Sequence, residues 1–438
     1  MSYRIAIVGG GGREDALTRK MFENGAELIS IMPNENPSIK SISSETLIAQ
    51  TSETEKIIDF IKDKNPDLVY VSPDGYLETN LVDKLLLTNI KIASPSSAAF
   101  KIESSKIFMR QLMKRYGIPG NLKFEVLNSE YDIQKLLSNT SKEYAIKPSG
   151  LTGGKGVKVT NHHFSNRREA IAYASEILQR DQRILIEEAV EGEEFSMQLF
   201  TDGSSVLFAP LAQDYKRLRE GDQGPNTGGM GSITDKDMRL PFISSFTYEK
   251  AKEISRKFVN SLFNDGQIFK GVMYVQFMQT KEGPKVIEIN GRLGDPEGMN
   301  ILTLMEGDVV DLLFRIADAD LKGAKVNFRK NATVLKYLVP PGYGVNPMPG
   351  NLRVNTHGLP EHIKIYYSGV TGDINNVNFT NSRGMAILAE GDTIEGASAD
   401  VEMNLWRITG QYEMRHDIGK AETLKKKMDA SKALGISY

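Results

Sequence analysis

The chain has 438 residues, 40% of them apolar and 25% charged, with a formal net charge of −2. That length calls for about two to four domains of ordinary globular composition. A charge so close to neutral gives no electrostatic reason to expect nucleic acid or an anionic membrane as partner. The sequence contains no cysteine, which excludes disulfides, thiolate nucleophiles and thiolate zinc sites. Of five histidines only His162 and His163 are close in sequence, so a metal site would be built from oxygen donors around a hard cation. The apolar start, residues 1–8, is too short for a signal peptide, and no run approaches the ~18 apolar residues of a membrane span. The expectation is a soluble, cytoplasmic protein.

Residues 1–103 alternate strands and helices. Strands are predicted over 3–8, 27–31, 67–71 and 90–93, and helices over 13–23 and 55–64. This β-α-β rhythm predicts a doubly wound parallel sheet with its ligand at the C-terminal strand ends. A helix is expected over 104–119, ending before Pro119. A small α/β unit follows, with short strands at 144–147, 156–159 and 183–186. Residues 193–208 read as strand, turn and strand, and 248–263 as a helix. Two apolar strands, 271–278 and 285–289, form a hairpin across Lys281-Glu282-Gly283. From about residue 332 the chain is rich in Gly, Pro and Asn with short strands such as 385–388, and 417–434 reads as a closing amphipathic helix.

Gly9-Gly10-Gly11-Gly12-Arg13-Glu14 lies between the first strand and the first helix. Backbone N–H groups at such a turn suit a phosphate, and Arg13 adds a charged contact. A dinucleotide fingerprint would require glycine where Glu14 stands. A small phosphorylated ligand is therefore favoured over NAD, beside the plain alternative of a tight turn without a ligand. The segment 145–157, Ala-Ile-Lys-Pro-Ser-Gly-Leu-Thr-Gly-Gly-Lys-Gly-Val, places Lys147 and Lys155 around a glycine-rich loop between two strands. Lysine is a point charge for phosphate oxygens and glycines let the loop close. Gly156 follows Lys155 where a Walker A loop has Ser or Thr, so a triphosphate site of another architecture is expected.

Ile184–Ile186 exits into Glu187, Glu188 and, further on, Glu194. Such an exit can offer backbone groups to an adenine edge and a carboxylate to ribose hydroxyls, or be merely solvated. In Val286-Ile287-Glu288-Ile289-Asn290 the two polar residues are two apart on a strand and share a face. That pair is a sound Mg²⁺ arrangement with phosphates supplying further ligands, and Gln276 on the preceding hairpin strand adds a third donor. Arg292 continues the face and suits a carboxylate or phosphate. The long loop from Gln213-Asp214-Tyr215-Lys216-Arg217 to Gly231 packs charges and glycines densely and reads as an active-site loop.

Taken in order, these segments resemble the ATP-grasp superfamily, and more closely the phosphoribosylamine–glycine ligase family. The carrying stretches are GGGGRE (9–14), SSK (104–106), KPSGLTGGKGV (147–157), EEAVEGEE (187–194), QDYKR (213–217), GPNTGGMG (224–231) and EINGRLGDPE (288–297). The resemblance implies an α/β multidomain fold. It has an N-terminal doubly wound domain (1–103) for phosphoribosylamine, an ATP-grasp region (104–325) with a small lid at about 120–190, and a mainly β C-terminal domain (326–438). It implies ATP-dependent joining of glycine to 5-phospho-β-D-ribosylamine through a glycyl phosphate, a step of purine biosynthesis, with ATP and Mg²⁺ or Mn²⁺ as cofactors. The alternatives are another ATP-grasp ligase or carboxylase, or a non-catalytic ATP-binding protein. A monomer or weak homodimer is expected.

By the same resemblance Lys106, Lys147 and Lys155 attend the ATP phosphates. Glu187, Glu188, Ala189 and Val190 hold adenine, and Glu194 the ribose. Gln276, Glu288 and Asn290 bind the metal. Asp214, Arg292 and Gly294 hold glycine, with Arg292, Asp214 and Lys155 as the catalytic set, and Gly11, Gly12, Arg13 and Glu14 meet phosphoribosylamine. The chain departs from the family pattern at Asp15, which replaces a His, at Ser72-Pro73-Asp74-Gly75, at Tyr215, which replaces a His, and at Leu293, which replaces a Phe. Those at Asp15 and Asp74 are expected beside the amine-substrate pocket and to change its details.

Overall fold

The computed structural model describes residues 2–138, 142–151, 156–160 and 162–436. Five parallel strands open the chain: β1 (Arg4–Val8), β2 (Glu27–Met32), β3 (Glu45–Ile48), β4 (Leu68–Val71) and β5 (Lys91–Ile92), in the order β3-β2-β1-β4-β5. The central strands are continuous apolar runs because helices cover both faces. Helix α1 (Gly12–Glu23) follows β1 through the glycine turn. At Gly9 the backbone has φ of +135°, and a Cβ there would lie 2.6 Å from Glu14 and 2.9 Å from Pro73, so only glycine fits. Four elements of this domain escaped the sequence expectation: β3, the helices Asp74–Leu77 and Leu81–Leu85, and the short helix Pro37–Ile42. The last is too brief for periodicity to reveal and is held by the Asn36 cap.

The helix expected over 104–119 is Lys106–Arg115, and it is preceded by a helix that escaped the expectation, Ser97–Ser104. Ser105 between them is extended, and its hydroxyl caps the second helix at Phe108 N, 3.2 Å. The break aims the Lys106 N–H at Ser149 O, 2.8 Å away. Residues 124–188 form a small unit with its own core. Strands β6 (Phe124–Leu127), β7 (Tyr144–Lys147), β8 (Lys158–Val159) and β9 (Ile184–Glu188) make an antiparallel sheet, and helices Glu130–Ser138 and Arg167–Asp181 pack on it around Ile133, Ile146 and Ile177.

Strand β10 (Glu193–Thr201) enters a long antiparallel sheet. Its order is Gly283–Asn290, Gly271–Thr280, β10, Ala212–Asp214, Gly231–Thr234, Ala332–Leu338, Met385–Gly391 and Ile363–Tyr367. The pairing of Gly231–Thr234 with Ala332–Leu338 carries one sheet across residue 326. Helix Ala421–Ala433 folds back onto the same sheet, with Ser431 Oγ donating to Phe242 O at 3.2 Å. Among the described residues no helix is long and apolar enough to cross a membrane.

Candidate active site

The hairpin Gly271–Thr280/Gly283–Asn290 sets Gln276 opposite Glu288 and Tyr274 opposite Asn290. Directly opposed residues project to one face, as do residues two apart, so Gln276, Glu288 and Asn290 share a side. The register slips from Gln276–Glu288 to Phe277–Val286, leaving Ile287 unopposed in a bulge beside Glu288. Gln276 Nε2 donates to Glu194 Oε2 at 2.6 Å, which leaves its carbonyl oxygen for another partner. Lys216 Nζ binds the same Glu194 oxygen at 3.0 Å. No group of three or more His, Cys, Asp or Glu suited to a metal exists among the described residues. The hairpin therefore offers one carboxylate and amide oxygens, a hard donor set that fits a divalent ion sharing phosphate oxygens.

Lys147 ends β7 and faces inward, where its Nζ lies 2.6 Å from Glu187 Oε2. The other side of that carboxylate is gripped by Arg110, with Nε to Oε1 at 2.6 Å and a terminal nitrogen to Oε2 at 3.1 Å. Both Arg110 and Glu187 are wholly buried. Burial pushes the Glu187 carboxyl up, but Arg110 and Lys147 outweigh it and hold it down at about 2. Lys106 begins its helix and donates from Nζ to Gly150 O at 2.9 Å; burial lowers the pKa of its amine. Lys155 falls outside the described residues. A cavity of about 540 Å³ lies over this region, lined by Lys147, Glu187 to Glu194, Gln276 and Glu288. At the strand exit Glu188 N and Ala189 N are already bonded to Lys123 O and Glu143 O, at 2.9 and 3.0 Å.

A smaller cavity of about 150 Å³ joins the first where Gln276, Glu288 and Lys216 line both. It receives Lys106, Asp214, Asn290, Arg292 and Glu297. Asp214 and Arg292 line this cavity together, and Asp214 Oδ1 and Arg292 Nε are buried without a hydrogen-bond partner. Asp214 has its pKa pushed well up, first by burial and then by the neighbouring Glu297; Glu297 is raised as well, mainly by burial, and accepts from Tyr274 OH at 2.8 Å. Arg292 is flanked by Asp74 at 3.8 Å and Glu103 at 3.7 Å. The backbone around it is tight. A Cβ at Gly294 would meet Glu297 Oε2 at 2.6 Å, and Gly294 N donates to Gln198 Oε1 at 2.8 Å.

The first glycine turn abuts this pocket. Glu14 accepts from Gly11 N at 2.7 Å, from Ser72 Oγ at 2.5 Å and from Arg13 Nε at 2.5 Å. One of the N–H groups expected to serve an incoming anion is thus capped by the chain itself. Arg13 also donates to Leu293 O at 3.1 Å and lies 3.9 Å from Asp74, which brings the turn and the hairpin exit together. Gly12 packs under Tyr337, whose hydroxyl would be 2.6 Å from an added Cβ. The departures sort clearly. Asp15 is fully buried and points away, bonded to Arg19, Ser38 Oγ and Tyr367 N. Tyr215 is buried beneath Arg415 and Lys427. Leu293 is a buried core residue, and Asp74 alone faces the small cavity.

Sequence reasoning missed Arg110, a lone arginine on an amphipathic helix with no local signal. Lys216 and Glu297 stand out in the sequence only as members of longer stretches, QDYKR and EINGRLGDPE. It missed Arg383, whose guanidinium reaches Gly229 O and Asp295 O at 3.0 Å and Asp295 Oδ1 at 3.1 Å, pinning the 224–231 loop from the C-terminal part.

A parallel-sheet domain, a small two-layer unit and a long antiparallel sheet around a lysine- and carboxylate-lined cleft make this an ATP-grasp protein. Residues 3–103 match the family model described as phosphoribosylglycinamide synthetase, N domain, and 104–298 the model of its ATP-grasp (A) domain. The phosphoribosylamine–glycine ligase of Thermococcus kodakarensis is 36% identical over 433 residues, covering 98% of this chain and 99% of that protein. That of Methanosarcina barkeri is 38% identical over 434 residues, again covering 98% and 99%. The crystal structure of the Thermotoga maritima phosphoribosylamine–glycine ligase superposes with a TM-score of 0.78 at 27% identity, over 95% of this chain and 100% of that one. A biotin carboxylase domain from Hydrogenobacter thermophilus, solved with MgADP, shares the fold at a TM-score of 0.72 and 14% identity, over 99% of this chain and 94% of that one. The chain belongs to the phosphoribosylamine–glycine ligase family.

Proposed function

We propose that this chain joins glycine to 5-phospho-β-D-ribosylamine at the expense of ATP, giving N1-(5-phospho-β-D-ribosyl)glycinamide, ADP and phosphate in purine biosynthesis. The observation that carries the reading is an acid and a base, Asp214 and Arg292, lining one cavity of about 150 Å³ that joins the larger one at Gln276 and Glu288. A small zwitterion satisfies both charges. Asp214, with Glu297, receives the ammonium, and Arg292 the carboxylate.

The larger cavity takes ATP. Adenine lies against Glu187, Glu188, Ala189 and Val190, with the ribose at Glu194. Lys106, Lys147 and Lys155 neutralise phosphate charge. Gln276, Glu288 and Asn290 would hold Mg²⁺ or Mn²⁺, which would supply positive charge against that of the phosphates. In the first step a glycine carboxylate oxygen attacks the γ-phosphorus and the bond to ADP breaks, forming glycyl phosphate. In the second the amine of phosphoribosylamine, held at Gly12, Arg13 and the Glu14-capped turn, attacks the carbonyl carbon. Phosphate leaves with the C–O electron pair and the amine loses a proton. No enzyme nucleophile takes part; catalysis is positioning and charge stabilisation.

The test is ADP release from the purified chain with ATP and Mg²⁺. Release is expected only when glycine is supplied together with phosphoribosylamine generated from ribose 5-phosphate and ammonia. Release indifferent to both, or driven by bicarbonate and an aminoimidazole ribonucleotide, would overturn it.

A further inference from the structure

Arg110 stands outside both cavities, yet it touches what positions each side of the ATP site. Its guanidinium binds Glu187 with two nitrogens, and Glu187 in turn holds the Lys147 ammonium. The same terminal nitrogen lies 2.9 Å from Val286 O and 3.2 Å from Ile287 O. Those carbonyls belong to the bulge beside Glu288, where the slipped register leaves Ile287 without an opposite residue. A third contact, from the other terminal nitrogen to Asn121 Oδ1 at 3.3 Å, closes the shell.

The chemistry of this arrangement is unusual for a structural ion pair. Two cations share one carboxylate with essentially no exposure, so the cluster carries a net positive charge inside the protein. Buried ion clusters bring little net stability, because desolvation offsets attraction. Fork geometry is what arginine adds: two parallel bonds fix the plane of the carboxylate, and the plane fixes where Lys147 sits. The carbonyls of a bulge need donors, and the bulge decides how Glu288 is aimed. One side chain on the helix Lys106–Arg115 therefore spans β7 and β9 of the lid and the metal-side hairpin.

We propose that Arg110 is a positioning residue that sets Lys147 and Glu288 relative to one another, so that phosphate contact from the lid and metal binding by the hairpin reinforce each other. This rests on the MgATP reading given above. Lysine at this position would keep the charge but lose the fork and the second set of carbonyl bonds. Methionine would remove both.

The experiment is calorimetric titration of the full chain with ADP, with and without Mg²⁺, for wild type, Arg110→Lys and Arg110→Met, beside thermal melts. Wild type is expected to bind ADP more tightly when Mg²⁺ is present. Arg110→Lys, which keeps the buried charge and so the fold, is expected to lose about tenfold or more of that Mg²⁺-dependent gain. It should lower kcat/KM for ATP by about 100-fold while the KM for glycine stays within about twofold. A folded Arg110→Lys with the wild-type Mg²⁺ gain overturns the proposal, as does an equal rise in the KM values of ATP and glycine. If Arg110→Met also folds, it should show a loss at least as large; a smaller one counts against the proposal. Wild type that binds MgADP but releases no ADP with glycine and phosphoribosylamine would sink the ligase reading alone. Wild type whose ADP binding ignores Mg²⁺ would sink this one.

Discussion

At the scale of single residues the site separates into groups that meet ligand and groups that aim them. Glu288 is the one carboxylate in the candidate metal set, because Gln276 and Asn290 offer amide oxygens. Glu288→Ala should abolish the Mg²⁺-dependent part of ADP binding and lower ligation by at least about 100-fold, measured by titration and by ADP release. Unchanged turnover would remove Glu288 from the metal role. Gly294 is an equally sharp test of the small cavity. An alanine Cβ would press on Glu297 Oε2 at 2.6 Å. Gly294→Ala is expected to raise the KM for glycine by about tenfold or more while MgADP affinity holds. Joint loss of both would instead mean that the hairpin exit had collapsed.

Elements carry the electrostatics of the site. The helix Ser97–Ser104 carries Glu103 in its last turn, where it accepts from Gly291 N and faces Arg292. Burial, helped by Asp74, pushes the Glu103 carboxyl up to about 7 against the pull of Arg292. A folded-state value above the unfolded one means stability that is complete below about pH 4.5 and fades as pH rises through about 7. Glu187 has the opposite sign. Its depressed value of about 2 gives stability present above the unfolded carboxyl range and lost only in strong acid, so the Arg110–Glu187–Lys147 cluster stays intact at neutral pH. Thermal melts of Glu103→Gln should therefore fall less than those of wild type between about pH 5 and pH 7.5. Parallel curves for the two proteins would show that Glu103 ionises without cost.

On the scale of the whole molecule, one antiparallel sheet runs from the hairpin of Glu288 to strands beyond residue 326. Arg383 and Lys427, from the C-terminal part, reach Asp295 and Glu193. A fragment of residues 1–325 would leave Gly231–Thr234 as a bare edge and strip those contacts. It should aggregate or melt without cooperativity in sedimentation and calorimetry. A soluble fragment with a single sharp transition would show that the first 325 residues fold independently.

The parallel sheet, the hairpin and the Glu288–Asn290 face were legible from sequence because they rest on local periods: apolar runs for covered strands, and spacing of two along a strand. So was the glycine turn, whose conformational demand at Gly9 is met by one residue type. Asp15, by contrast, read as a threat to the amine pocket and is a buried tie between α1 and Tyr367, which lie 352 positions apart in the chain. Arg110 gave no signal, since its partners Glu187 and Val286 stand 77 and 176 positions away. By itself the sequence determined which charged and amide groups stand at the glycine turns and along the hairpin strands. Only tertiary structure decided which charged groups line one cavity, as Asp214 and Arg292 do, and which are engaged in holding others, as at Arg110 and Glu14. The reason is physical: pairing and burial depend on what folding brings alongside, and no spacing along the chain encodes that.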